Sequence, residues 1–132
     1  MDIIKYSEYL SDIQDARQKL MLMPRHLNMQ KQNKHIVGTS EYIQYQQTLS
    51  QRGMYGPSII TLNPAQLNQF IEESIGKGTP IIDEAGSWLH KERINAGFAI
   101  GITYNKDGFP QITTRAIIHY GKTGIHIVPA KS

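Results

Sequence analysis

The sequence of 132 residues contains no cysteine, and this absence removes several classes of protein. A disulfide-stabilised scaffold, a thiolate zinc site and a cysteine nucleophile are all excluded. The sequence also has no apolar run long enough to cross a bilayer, and its first residues lack the basic region and long apolar stretch of a secretory signal. We therefore expect a protein that makes no membrane contact and that works in the cytoplasm.

Acidic residues are scarce in two long stretches, although the net charge is only +3. The stretch 17–52 has six basic residues and one acid, and the stretch 108–132 has three basic residues and no acid. A positive face of this kind suits a polyanionic partner such as nucleic acid. A soluble basic protein without such a partner explains the charge equally well.

The apolar spacing predicts three helices in the first part of the chain. Steps of three and four residues predict a helix over 2–22 with Asp2 as its cap, and a second from Thr39 or Ser40 to about residue 53. Asn63-Pro64 predicts the start of a third helix, which a glycine closes at residue 76. Residues 28–38 have no clean period, so we predict a loop or a short extended segment there.

Strand patterns dominate the C-terminal third. Alternation predicts a three-stranded antiparallel meander over 98–104, 111–120 and 125–128, and a short strand lies earlier at 58–62. Helices followed by such strands predict an α+β fold, with the helices packed on one face of a curved antiparallel sheet. The pattern assigns no element to 82–96, where we expect Trp88 and Leu89 to pack and Lys91, Glu92 and Arg93 to face water.

Polar side chains converge on one face of the predicted meander. A two-residue loop within 121–124 places His119 opposite His126 and Tyr120 opposite Ile125. Because side chains alternate along a strand, Thr113 and Arg115 then share the face of the two histidines. An odd-length loop or bulge near Pro110 restores apolar pairing in the first hairpin, and it places Gly101 and Thr103 on the same polar face. A glycine there leaves room for a ligand to approach the sheet.

Histidines beside an arginine suit phosphodiester cleavage without a metal. One imidazole can take the proton of a 2′-hydroxyl and another can protonate the leaving oxygen, while cations stabilise the transition state. Lys31 and Lys34 flank a third histidine, His35, on a segment that could reach the sheet. A zinc ion shared by His119 and His126 is the main alternative, but no third ligand is evident. A serine triad lacks its Gly-x-Ser-x-Gly motif, and His26 and His90 are expected to be structural or surface residues.

Three strings of the sequence resemble a known family in the same order. They are KQNKHIVGT at 31–39, SIITLNP at 58–64 and TTRAIIHYGKTGIHIVPA at 113–130. Together they resemble the polymorphic toxin type 50 domain, which also occurs at the C-terminus of phage minor head proteins. The resemblance covers roughly residues 29–130 and implies a barnase–EndoU–colicin–RelE-like ribonuclease fold. It divides the chain into an N-terminal helical extension, 1–28, and a ribonuclease-like toxin domain, 29–132.

The resemblance also implies a site and an activity. The resemblance implies a toxin- or phage-associated ribonuclease that acts in a bacterial cytoplasm. The convergent histidines and cations predict that this endoribonuclease needs no metal or other cofactor and leaves a 2′,3′-cyclic phosphate. RNA is then the substrate, and an inhibitor (immunity) protein is a possible partner. The resemblance implies a site formed by His35, with Lys31 or Lys34, and by His119, with Thr113, Arg115 and His126. We therefore predict as catalytic residues His35, His119, His126, Arg115, Thr113 and Lys34, and we also predict Lys31, Thr114, Tyr120 and Lys122 as substrate contacts.

A second hypothesis keeps the fold without the catalysis. The protein would then be a phage module that binds nucleic acid or another protein. The helix over 2–22 could serve such a module, because Ile3, Tyr6, Leu10 and Ile13 form a stripe through which it could dock a partner or self-associate. The simpler interpretation is that this helix covers the core of the domain.

Overall fold

Four helices precede most of the strands in the computed structural model, which describes residues 2–132. The predicted α+β class is confirmed. The α-helices are α1 (Ile3–Met21), α2 (Met29–Gln32), α3 (Ser40–Gln51) and α4 (Pro64–Ser74), and a 3-10 turn (Asn33–His35) directly follows α2.

Side-chain caps begin each helix where the sequence predicts one. Asp2 accepts a hydrogen bond from the backbone N–H of Lys5, and Thr39 is the cap of α3. Asn63 forms a capping box ahead of the first-turn proline of α4. The prediction of a loop over 28–38 is wrong, because Asn28 caps α2 in the same way and its short helix continues into the 3-10 turn.

The strands form two antiparallel sheets. The larger has the order β2-β3-β6-β7, and the smaller has the order β1-β4-β5. The strands are β1 (Ile59–Ile60), β2 (Thr79–Ile82), β3 (Trp88–Asn95), β4 (Gly101–Tyr104), β5 (Pro110–Thr113), β6 (Arg115–Gly121) and β7 (Gly124–Ala130).

The predicted three-stranded meander is wrong, because the predicted strand 111–120 is broken at Thr114 and its two halves belong to different sheets. Two hydrogen bonds of the Thr113 hydroxyl stabilise this break between the strands. The hydroxyl donates to the Ala130 carbonyl at 2.6 Å and accepts from the Arg115 N–H at 3.1 Å. The predicted odd-length loop is confirmed, since five residues separate β4 from β5 and Ile102 pairs with Ile112.

The hairpin of β2 and β3 was not predicted, and a buried carboxylate explains why. Glu92 is fully buried in β3, whereas Leu89 is 44% exposed, so the expectations for both residues are wrong. Glu92 accepts hydrogen bonds from the N–H groups of Gly76 and Gly78 at 3.1 and 2.8 Å, and from the Tyr120 hydroxyl at 2.7 Å. These three donors offset the cost of removing a carboxylate from water.

The core lies on one face of the larger sheet, as predicted. The buried strand residues Ile118, Ile125 and Ile127 pack in one cluster with Leu20 of α1 and Leu67 of α4. The division of the chain at residue 28 stays a prediction. The other end of α1 is exposed at the stripe proposed for docking, so self-association through that stripe also stays a prediction. Within residues 2–132, none of the helices combines the length and apolar character that crossing a bilayer requires.

Candidate active site

The outer face of the larger sheet, opposite the core, carries a row of ionisable side chains. The register pairs His126 of β7 with His119 of β6, and His119 with Lys91 of β3. Directly paired residues share a face, so these three side chains lie next to one another across three strands. The predicted pairs His119–His126 and Tyr120–Ile125 are confirmed.

Hydrogen bonds to the backbone of β7 position the segment that carries the third histidine, His35, beside this row. The buried amide of Gln32 donates to the Ile127 carbonyl at 3.0 Å and accepts from the Ile127 N–H at 2.7 Å. On the other side of His126, the N–H of Asn28 donates to the Ile125 carbonyl at 2.8 Å. The segment around α2 is therefore fastened to the edge of β7 on both sides of His126, and His35 follows three residues after Gln32.

The three imidazole rings form a stacked series. His126 lies 4.6 Å from His119 and 6.3 Å from His35 between ring centroids, with interplanar angles of 25° and 16°. The ring of Tyr45 meets His35 edge-on at 6.0 Å, and the Lys34 ammonium lies 5.7 Å from the centre of the Tyr45 ring. Residues from α3, the 3-10 turn and two strands thus converge on one place.

One hydrogen bond fixes the protonation pattern of His35. Its Nδ1 lies 2.9 Å from the carbonyl oxygen of Ser58. A carbonyl oxygen can only accept, so Nδ1 carries the proton. In the neutral ring, Nε2 then holds the free lone pair, which is the form that a general base needs.

The surroundings keep the three histidines uncharged at neutral pH. Burial is the main cause that lowers the pKa of His119 to about 4, and the charge of Lys91 adds to it. Burial likewise lowers the pKa of His126 to about 3, with a further contribution from His119. The pKa of His35 is also below its ordinary value, again chiefly because the ring is buried. Burial and nearby cations both disfavour imidazolium.

Lysines surround the row. Lys31 reaches the turn between β6 and β7, where its ammonium lies 3.8 Å from the position that a Cβ would occupy at Gly121. Lys34 precedes His35, and Lys91 stands directly across from His119. The sequence pattern does not predict β3, so Lys91 was not among the predicted site residues. Alternation along β3 would have placed Lys91 and Arg93 on one face.

Other predicted site residues lie elsewhere. Thr113 is buried and its hydroxyl is bonded to Ala130, so it does not join the row. Tyr120 faces the core, where it donates to Glu92. Arg115 shares the outer face but is four residues from His119, about 13 Å along the strand. Lys122 is exposed in the turn beside the row, and Thr114 lies at the break between β5 and β6.

The predicted opening at Gly101 is filled by the protein itself. A Cβ at Gly101 would lie 2.5 Å from the Pro129 side chain and 2.6 Å from the Ile59 carbonyl. The neighbouring Thr103 is also buried. The glycine therefore allows close packing of β4 against β7 and leaves no room for a ligand, so both residues are absent from the polar face.

The stacked geometry of the three histidine rings does not suit the binding of a shared metal ion. Nearly parallel rings do not aim their nitrogen atoms at a common point, as the ligands of a tetrahedral ion must. Among residues 2–132, no group of three or more histidine, aspartate or glutamate side chains is arranged to hold a metal ion.

Comparison with known proteins connects this site to a family. The profile of bacterial toxin 50 matches residues 27–129, which include all three stacked histidines and the lysines around them. No curated protein matches the chain. Because the match spans most of the 132 residues, the chain belongs to the bacterial toxin 50 family.

Proposed function

We propose that this toxin domain is an endoribonuclease that cuts RNA by histidine acid–base catalysis and leaves a 2′,3′-cyclic phosphate. The observation that carries the proposal is the stacked series of His35, His126 and His119 at one sheet face, with Lys91 beside His119. Neutral imidazoles supply bases at physiological pH, and ammonium groups attract the phosphodiester.

His35 is the general base in this proposal. Its Nδ1–H bond to Ser58 orients the ring and leaves Nε2 as the acceptor. Nε2 removes the proton of the 2′-hydroxyl, and the 2′-oxygen then attacks the adjacent phosphorus. The bond that forms is O2′–P, and the bond that breaks is P–O5′. The products are a 2′,3′-cyclic phosphate and a free 5′-hydroxyl.

His119 lies at the other end of the stacked series of imidazole rings from His35, and it is the general acid. It must carry a proton to donate one to the leaving 5′-oxygen, and in the free protein its pKa is about 4. A bound phosphate brings a negative charge beside the ring, which favours imidazolium and raises that pKa. In this proposal, substrate binding thus protonates His119 for its role as the acid, while His35 remains the neutral base.

In this proposal, Lys91 and Lys31 stabilise the negative charge of the reacting phosphate, and His126 supports the acid and the base. Lys91 and Lys31 lie close enough to His119 to lower its pKa, so they are near the place where a phosphate would be held. Their charges stabilise the additional negative charge of the transition state. His126 lies between acid and base and supports both rings by stacking.

The biological setting follows from the chemistry. A toxin that cuts RNA acts in the cytoplasm of a bacterial target, and a cell that makes it needs an inhibitor protein. The ribonuclease fold and the phage or mobile-element origin implied by the sequence motifs belong to the same proposal.

A DNA strand with a single ribonucleotide tests the proposed reaction. Cleavage should occur only on the 3′ side of that ribonucleotide, because only there can a 2′-oxygen attack. The all-DNA strand is the matched control. Binding that weakens with salt but gives no turnover would contradict the proposal and favour the non-catalytic binding module.

A further inference from the structure

We propose that the outer face of the larger sheet is a track for single-stranded RNA, along which Arg93 and Arg115 hold phosphates that are not cut. The inference rests on the proposed function in taking RNA as the bound strand. It adds a binding surface beyond the histidine row, together with the direction in which the strand leaves that row.

The strand register defines this surface. The residues that share the outer face over three strands are Lys91, Arg93 and Asn95 of β3, His119, Ile117 and Arg115 of β6, and His126, Val128 and Ala130 of β7. Arg93 is two residues from Lys91 and pairs with Ile117, whereas Arg115 pairs with Asn95. The cations therefore extend from the histidine row along the strands and towards the break at Thr114.

Distances separate the two arginines from the reacting phosphate. Two residues along a strand span about 7 Å and four span about 13 Å, so Arg93 and Arg115 lie successively farther from the row. A phosphate that reacts beside His119 already has Lys91 next to it, because Lys91 is paired directly with His119. The arginines accordingly meet neighbouring phosphates of the same strand.

The chemistry of the face suits one strand of RNA. None of the nine residues that the register places there is acidic, and the side chains of both arginines are exposed. Half-buried Ile117 and Val128 pair with each other beside Arg93 and form an apolar surface against which a base or ribose can pack. A single strand can turn its bases towards such a surface, while a duplex keeps them stacked inside.

Binding of an oligonucleotide that cannot be cleaved tests the track without turnover. The probe is a 2′-O-methyl ten-mer, and its affinity is measured by fluorescence anisotropy over a series of salt concentrations. The double variant Arg93→Ala/Arg115→Ala should bind at least tenfold more weakly, with a salt slope smaller by about 1.4, because each phosphate contact to a single strand contributes about 0.7. Lys106→Ala, in the exposed loop between β4 and β5, is the matched control for lost charge and should bind as the wild type does.

Cleavage of substrates of different length gives the second readout. The kcat/KM of the wild type should rise from a dinucleotide to a ten-mer, and the double variant should lose most of that rise through KM. Wild-type affinity and salt slope in the double variant would overturn the track, whether or not the protein cleaves RNA. Equal or tighter binding of a duplex of the same length would overturn the single-strand assignment. Absence of cleavage with intact, arginine-dependent binding would reject the ribonuclease proposal and retain the track.

Discussion

The ring of His126 stacks on the ring of His119 at a centroid distance of 4.6 Å, with 25° between their planes. Two imidazolium ions at this distance would repel each other strongly, so at most one of the two rings can be an imidazolium ion near neutral pH. Burial is the main cause that lowers the pKa of His119 to about 4 and that of His126 to about 3, and the charge of His119 adds to the lowering for His126. In the proposed mechanism, a bound phosphate therefore decides which ring is charged, because neither ring is an imidazolium ion in the free protein at neutral pH.

Replacement of His35 and of His119, the two ends of the stacked series, should distinguish the general base from the general acid. His119→Ala should lower kcat/KM on RNA at least a hundredfold, which is typical for the loss of one acid or base. A substrate with sulfur in place of the 5′-oxygen has a leaving group that needs no proton, and it should restore most of the activity of His119→Ala. The same substrate should not rescue His35→Ala, because the 2′-hydroxyl still needs a base.

Circular dichroism and thermal unfolding of both variants provide the control for folding. Rescue of His35→Ala and not of His119→Ala would reverse the assignment. Equal rescue of both would contradict the division into acid and base.

Gln32 should be a positioning residue for His35. Gln32→Ala removes both hydrogen bonds to Ile127, and the loss of one partner from a buried polar group costs about 1–3 kcal/mol. We expect a lower free energy of unfolding in urea and a fall in kcat of about tenfold or more, with little change in KM, because Lys91 stays in place on β3. Gln47→Ala, at an exposed position of α3, is the control. Unchanged kcat in a destabilised Gln32→Ala protein would limit Gln32 to a structural role.

Lys91 should lower the pKa of His119, the proposed general acid. Lys91→Ala removes a positive charge beside His119, so the pKa of His119 should rise from about 4 towards 6.5. The imidazole Cε1–H resonance of His119, followed by NMR from pH 3 to pH 8, measures this change directly. Lys19→Ala, an exposed position of α1, should leave the curve unchanged. A pKa that stayed constant or fell in Lys91→Ala would show that Lys91 does not act on His119.

Glu92 should be essential to the β2–β3 hairpin. In Glu92→Gln an amide replaces one carboxylate oxygen, so it cannot accept from both Gly76 and Gly78 as the carboxylate does. Hydrogen bonds to a charged group contribute about 1.5–3 kcal/mol, and we expect a loss of that order in urea unfolding. Tyr120→Phe removes only the third donor and should cost less. A Glu92→Gln protein of wild-type stability would contradict this account of the buried carboxylate.

Local signals in the sequence predicted three of the four α-helices and the last hairpin. Asp2, Thr39 and Asn63 begin helices because their side chains satisfy nearby N–H groups, an effect that depends only on adjacent residues. The two-residue loop after Gly121 fixed the pairing of His119 with His126 for the same reason. The presence of His35 near that pair was predicted from the family resemblance and from the two lysines that flank His35 in the sequence.

Features that depend on distant contacts could not be predicted. Thr113 breaks the strand through a bond to Ala130, which lies 17 residues away. Glu92 is buried only because the N–H groups of a distant loop and the Tyr120 hydroxyl meet it. A charged residue in an alternating pattern looks like a solvent-facing position, so β3 went unrecognised, and with it the role of Lys91.

Cleavage of a labelled RNA in the presence of EDTA, with analysis of the product ends by mass spectrometry, tests the central claim most directly. The account predicts fragments that end in a 2′,3′-cyclic phosphate and a 5′-hydroxyl, formed by the wild type and reduced at least a hundredfold in a folded His119→Ala protein. A folded, monodisperse wild type that leaves the RNA intact, or a His119→Ala protein that cuts it at the wild-type rate, would contradict the account.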